Sequence, residues 1–227
     1  MKPLDTRAFL TNLPLFRELD AEEIGRIALA TRLIRAARGE ILFKRGDPCV
    51  GSHAVVFGQV KLAFISPEGG EKVIDIIGPG ETFGEALMFM EQPYIVSAEV
   101  LADSLLLHIS KEAIFEELER DVRFARKMLS GLSRRLHQLV RDVEAYSLRS
   151  GAQRVVGYLL RECPQNPAAD LYRVTLPASK ATIASRLNLT PEHFSRILHD
   201  LAADGLIEVD GRDIVIRDAA ALGTFDH

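Results

Sequence analysis

The sequence predicts an α+β protein in three parts: a glycine-punctuated β roll, one long helix, and a winged helix-turn-helix. Three observations carry the prediction. Between about Thr31 and Ile109, short apolar segments (EILFK, AVVF, KLAFI, KVIDII, SAEV, SLLLHI) alternate with turns holding Gly39, Gly46, Gly51, Gly58, Gly69, Gly70, Gly78 and Gly80, the pattern of an all-β roll or barrel. Next, DVRFARKMLSGLSRRLHQLVRDVEAYSLRS places apolar residues at alternating steps of three and four. Last, SKATIASRLNLTPEHFSRILHDLAADGLIEVDGRDIVIRD reads as two short helices and a hairpin.

Taken in order, two short helices precede the roll, around Asp5 to Asn12 and Ala21 to Ala30, with Asp20 capping the second. The long helix carries a heptad seam of Val122, Ala125, Leu129, Leu132, Leu136, Leu139, Val143 and Tyr146. So narrow a seam predicts a symmetric coiled-coil dimer, whereas a helix packed on its own domain shows a broader apolar face. Met128 and Val140 flank the seam and are expected to dock the β domain, and Gly131 marks a close backbone approach. The domains are then 1–118, a sensor roll; 119–148, the dimerisation helix; and 149–227, the winged helix-turn-helix.

In the last domain, GAQRVVGYLLRE is an amphipathic helix and YRVTLPAS a short strand. Ser179 opens a helix to about Leu187, Asn188 suits a left-handed turn, and Thr190 caps a second helix with Pro191 at its first position. Small Ala184 falls at the crossing, Gly205 stops the second helix, and Asp210-Gly211 makes the hairpin turn. On the second helix Glu192, Ser195 and Arg196 stand at i, i+3 and i+4, so they share one face, opposite Phe194, Ile197, Leu198 and Leu201. These are base-reading chemistries: Arg196 for guanine O6 and N7, Glu192 for the cytosine amino group, Ser195 for thymine.

Net charge is −4, yet residues 1–120 hold 13 Lys/Arg against 19 Asp/Glu and residues 121–227 hold 15 against 13. An acidic half beside a mildly basic one suits a regulatory domain joined to a nucleic-acid reader. The first residues form no secretory apolar region, and no apolar run approaches a membrane span, which leads to the expectation of a cytoplasmic protein. Cys49 and Cys163 are too few for an iron–sulfur cage of four thiolates. No nucleophile–base pair, phosphate loop or metal spacing supports an enzyme.

This order of parts resembles the cAMP receptor protein and FNR superfamily of bacterial transcription regulators over essentially the whole chain, the roll being its cyclic-nucleotide-binding-like domain. Glu192-His-Phe-Ser195-Arg196 matches the E-x-x-S-R pattern of the FNR branch. The resemblance implies a homodimer on a double-stranded palindrome TTGAT, a four-base-pair gap, ATCAA, with RNA polymerase as protein partner. It also implies phosphate contacts from Ser179, Lys180, Thr190, His193 and Arg212.

The segment GPGETFGEALMFM resembles the nucleotide pocket, with Gly84 and Glu85 opening a short helix, and Leu87, Met88, Phe89 and Val96 as further pocket residues. Where the cAMP-binding branch has an Arg to neutralise phosphate, this chain has Val96, so cAMP is not the expected ligand. The stretches FGEALMFMEQPYIVSAEV, SLRSGAQRVVGYLL and GLIEVDGRDI are similar to denitrification regulators of the DNR and NNR type. That resemblance implies nitric oxide sensing through haem b. Candidate axial ligands are His108, in a strand, and His137, at a heptad position outside the seam that is expected to face the pocket; His53 reads as a solvated turn residue. His193 and His199 belong to the reading head, and His227 is terminal. Two alternatives remain open: the same architecture without haem, answering another small effector or none, and a cyclic-nucleotide module acting through protein contacts.

Overall fold

In a computed structural model, residues 4–66, 70–147, 150–163 and 171–224 are described, without the side chains of 135, 138–139 and 141–147. The chain forms two compact units, 1–139 and 140–227.

The first unit begins with α1 (Thr6–Asn12), capped by Asp5, and α2 (Ala21–Leu29), where Asp20 and Glu23 close a capping box. Six strands follow: β1 (Thr31–Ala36), β2 (Ile41–Phe43), β3 (Gly51–Ile65), β4 (Glu71–Ile77), β5 (Thr82–Phe83) and β6 (Ser97–Ser110), with α3 (Glu85–Phe89) between the last two. They make one antiparallel sheet in the order β1-β6-β3-β4, with β2 added to β6 and β5 to β3. β3 and β6 are long enough to pair along most of their length and to hold different partners at each end. The β3–β6 register shifts around Phe57 to Val60, the mark of a bulge, and Gly58 sits there at φ +87°.

Two hydrophobic cores result. One lies between the sheet and the helices and holds Leu10, Phe16, Ile27, Ala54, Met88, Leu107, Ile109, Phe124 and Met128. The other lies among the strands and holds Phe43, Val55, Phe83, Tyr94, Val96, Val100 and Leu106. After β6, Ser110 caps α4 (Lys111–Arg120), a helix outside the sequence-level account, and α5 (Val122–Ser147) follows.

α5 divides its faces. Phe124 and Met128 are buried, and Leu132 packs against the same helix-side core. Gly131 meets the chain at Leu15, where an added Cβ would lie 2.8 Å from the Leu15 carbonyl oxygen, so the close approach expected there is to the segment before α2. Lys127 bonds Glu23 at 2.7 Å and Arg134 bonds Glu18 at 2.5 Å, fastening the helix further. Roughly a third of a turn around the helix, Val122, Leu129 and Leu136 stand 73%, 62% and 63% exposed.

Leu132 is half-buried and packs against the helix-side core, midway around the helix between the docked face and the exposed stripe. Val140, expected to dock the β domain, is 58% exposed and belongs to the second unit. Ala125 is half-buried, and the side chains of Leu139, Val143 and Tyr146 lie outside the described residues.

The second unit contains α6 (Gly151–Glu162), β7 (Tyr172–Thr175), α7 (Lys180–Arg186), α8 (Pro191–Ala203), β8 (Ile207–Asp210), β9 (Asp213–Ile216) and α9 (Ala219–Gly223). Its three-stranded sheet runs β7-β9-β8, with Gly211 at φ +59° in the hairpin turn. No helix among the described residues is long and apolar enough to cross a membrane.

Candidate nucleic-acid interface and sensor pocket

Local caps position the reading helix. Ser179 accepts from the Thr182 amide at 3.1 Å to start α7, and Thr190 accepts from the His193 amide at 3.2 Å to start α8. Between the helices Asn188 adopts φ +56°, and the Leu189 amide returns to the Ala184 carbonyl at 2.9 Å. Ala184 is fully buried, which lets the two helices cross closely. Phe194, Ile197, Leu198 and Leu201 anchor α8, leaving Glu192, Ser195 and Arg196 exposed on the opposite face.

That outward face is chemically unspent. None of the three side chains has a hydrogen-bond or ion-pair partner among the described residues, although Glu192 and Arg196 stand at the i, i+4 spacing that permits a salt bridge. An ordinary solvated helix gains a few tenths of a kcal/mol by closing such a pair. Here both groups remain available to a partner.

The residues assigned to phosphate divide. Arg212, at the wing turn, is exposed, and Lys180 is half-exposed at the first position of α7. Ser179 and Thr190 already accept capping bonds through their hydroxyl oxygens, so each offers an outside partner its O–H; the Ser179 hydroxyl is also shared with Thr182 at 2.8 Å. His193 is exposed, yet its Cε1 would lie 3.2 Å from a Cβ at Gly151. Gly151 therefore seats α6 against α8, a role that only packing reveals.

In the sensor unit, Gly84 at φ +90° precedes α3, and the acid Glu85 occupies the first turn. The apolar residues expected to line one pocket separate into two cores: Met88 and Phe89 on the helix side, Leu87 and Val96 among the strands. A five-residue helix between two layers points successive side chains into both. Ser97, next to Val96, accepts from the Arg45 amide at 3.1 Å. Lys61, opposite Glu99 on the neighbouring strand, is held by Glu71 at 2.6 Å and Glu99 at 2.8 Å, and so carries no spare charge for an anion.

His53 departs from the expectation of a solvated turn. It lies in β3, in register with Phe83 and His108, is 7% exposed, and stacks on Phe83 at 5.0 Å. The glycine two residues before it misleads: Gly51 already pairs with Ser110 of β6, and the Ile109 carbonyl and the His108 ring leave no room there for a Cβ. His53 Nε2 is 3.3 Å from His108 Nδ1, and His53 Nδ1 is buried with no partner among the described residues. Burial first, and the neighbouring His108 second, lower the His53 pKa to about 3. Burial likewise lowers that of His108.

Because the folded state resists protonating His53, the unfolded chain takes up that proton first as pH falls below about 6.5. Stability carried by the neutral ring is thus complete above about pH 6.5 and is lost progressively towards pH 3. By pH 4.5 this should cost roughly 2–3 kcal/mol relative to pH 7.5. Urea unfolding of the wild type and His53→Phe at both values checks it: the two proteins should diverge by that amount, and parallel losses would remove His53 as the cause.

Of the two imidazoles considered for haem, His108 has ligand chemistry, since the contact between its Nδ1 and His53 Nε2 occupies one ring nitrogen and leaves Nε2 free. His137 is exposed on α5. The apolar shell fits less well, because the pocket residues divide between two cores.

Residues 33–121 match the cyclic nucleotide-binding domain, and residues 153–225 match the Crp-like helix-turn-helix domain. Among solved structures, one from Ruegeria pomeroyi described as a cyclic nucleotide binding protein is 32% identical, with TM-score 0.73 over 96% of this chain and 95% of that one. DNR from Pseudomonas aeruginosa is 33% identical, with TM-score 0.58 over 100% of both chains. The Cyclic AMP receptor protein of Thermus thermophilus is 28% identical over 92% of this chain and 94% of its own. A cyclic-nucleotide-type sheet domain followed by a helix-turn-helix with its reading face outward places the chain in the CRP/FNR family, whose members are DNA-binding transcription regulators.

Proposed function

We propose that the protein is an FNR-type regulator that binds TTGAT-N4-ATCAA as a homodimer and responds to nitric oxide through haem b, controlling denitrification or nitrosative-stress genes with RNA polymerase as its protein partner. The observation that carries the DNA reading is the outward face of α8, where Glu192, Ser195 and Arg196 stand together with no internal partner among the described residues. The dimer is supported by the exposed Val122, Leu129 and Leu136, one residue per heptad on a face that α5 does not use for docking. Leu129→Glu with Leu136→Glu is expected to weaken self-association at least tenfold in sedimentation equilibrium, the unfolding midpoint of the sensor unit being held. Unchanged association would remove the stripe as the seam.

The haem reading is supported by the likeness to DNR-type regulators and by the free nitrogen of His108. When bound, haem supplies an iron that takes the diatomic gas. His108 would hold it and His53 would orient the His108 ring, while Leu87 and Val96 would exclude water, which requires the core among the strands to open. The division of the pocket residues between two cores favours a second reading, in which the same regulator carries no haem and answers another small effector or a cyclic nucleotide. The 32% identity to a structure described as cyclic nucleotide binding also supports it, while Val96 itself supplies no cation for a phosphate ligand and Lys61 is already paired with Glu71 and Glu99.

The deciding experiment is anaerobic fluorescence anisotropy of haem-reconstituted protein on the palindrome, with and without nitric oxide, at one salt concentration. A large gain with the gas supports the full proposal. Tight binding indifferent to the gas keeps the DNA reading and moves the effector elsewhere, and equal affinity for a scrambled duplex defeats the DNA reading itself.

A further inference from the structure

We infer that His199 is a fourth base-reading residue of α8, setting sequence preference at the end of the half-site opposite the pair read by Glu192. The inference rests on the reading of α8 as the recognition helix and deepens it.

At about 100° per residue, the anchoring residues Phe194, Ile197, Leu198 and Leu201 centre on one direction of the helix. Glu192 lies almost opposite that centre, and His199 lies about 20° from Glu192, nearer the middle of the outward face than Ser195. His199 is exposed and has no hydrogen-bond or ion-pair partner among the described residues, like the three residues beside it. Along the axis, Glu192 to His199 spans about 10 Å, the rise of about three base pairs. A helix that lies along the groove and presents Glu192 and Arg196 to its floor therefore also presents His199 there, about two turns beyond Glu192 and about one beyond Arg196.

The chemistry suits a base better than a phosphate. A neutral imidazole donates from one ring nitrogen and accepts at the other, which matches a purine edge with its N7 acceptor. The next residue, Asp200, is exposed, and a carboxylate there opposes close approach of that flank to the negative backbone.

The test uses the full-length protein and duplexes in which each symmetric base pair of the half-site is exchanged in turn. Binding is measured by anisotropy at several salt concentrations for wild type, His199→Ala and His199→Lys. Both variants should retain the wild-type preference at the pairs read by Glu192 and Arg196 and lose it at a single further position, with affinity for the parent palindrome down about tenfold. The salt slope should be unchanged for the Ala variant. Retained preference at every position overturns the inference, as does a uniform loss in the Ala variant that Lys restores with a steeper salt slope, the behaviour of a phosphate contact. Wild-type protein that does not distinguish the palindrome from a scrambled duplex would sink the recognition-helix reading and this inference together, whereas variants indistinguishable from a discriminating wild type sink the inference alone.

Discussion

Arg196→Ala should lower affinity for the palindrome by about two to three orders of magnitude while leaving binding to a scrambled duplex nearly unchanged. A bidentate contact to guanine is worth about 1–3 kcal/mol of discrimination, and a two-fold dimer makes it twice. The guanidinium is exposed and has no partner among the described residues, so its removal leaves no orphaned group inside the protein and the thermal midpoint should not move. The measurement is a pair of anisotropy titrations, specific and scrambled, at fixed salt. Equal losses on both duplexes would turn Arg196 into a phosphate contact. Effector binding in the sensor unit should survive the substitution, since Arg196 belongs to the other compact unit and is exposed there.

The second large effect concerns the sheet. Gly58→Ala is expected to destabilise the sensor unit by about 2–5 kcal/mol, combining a left-handed backbone with overpacking. Gly58 holds φ +87°, and a Cβ there would strike the Ser104 hydroxyl and come within 2.7 Å of Ser104 Cα and the Asp103 carbonyl oxygen. The Ser104 hydroxyl has little freedom to retreat, because it accepts from the Gln59 amide at 3.0 Å and donates to the Ala102 carbonyl at 2.6 Å. Gly46 provides the control: φ is +94°, but nothing lies within 4 Å of an added Cβ. Gly46→Ala should thus cost only the conformational part, about 1–2 kcal/mol. Denaturant unfolding of the two variants separates the contributions, and equal costs would mean that the crowding at Gly58 is relieved by a small backbone shift.

These predictions draw on different kinds of information. The reading helix could be placed from the sequence because its determinants are local: Ser179 and Thr190 cap, Pro191 occupies a first-turn position, Asn188 makes the turn, and the anchoring residues recur at helical spacing. Each acts on groups within about one helical turn, so neighbours in sequence suffice.

The sensor unit was legible only in outline. Its glycine-punctuated strands announce a roll, and α3 begins at Gly84 as expected, but the strand-and-turn pattern passes over α4. His53 was misplaced because a strand that begins at a glycine looks like a turn until its neighbour, β6, is known. Heptad spacing likewise does not show that Leu132 packs on the first unit's own core: it says which residues share a stripe, not which face that unit will claim for itself.

The amino-acid sequence by itself determined the order of parts, the helix-turn-helix with its caps, and the chemistry offered by Glu192, Ser195 and Arg196. Tertiary structure alone decided that Met88 and Val96 belong to different cores, that His53 is buried against His108, and that α5 turns one face to its own unit and another outward. Caps and helical faces depend on contacts a few residues apart. Burial in a sheet or beneath a docked helix depends on groups fifty or a hundred residues away, as His53 with His108 and Lys127 with Glu23 show, and no local pattern encodes which of them will meet.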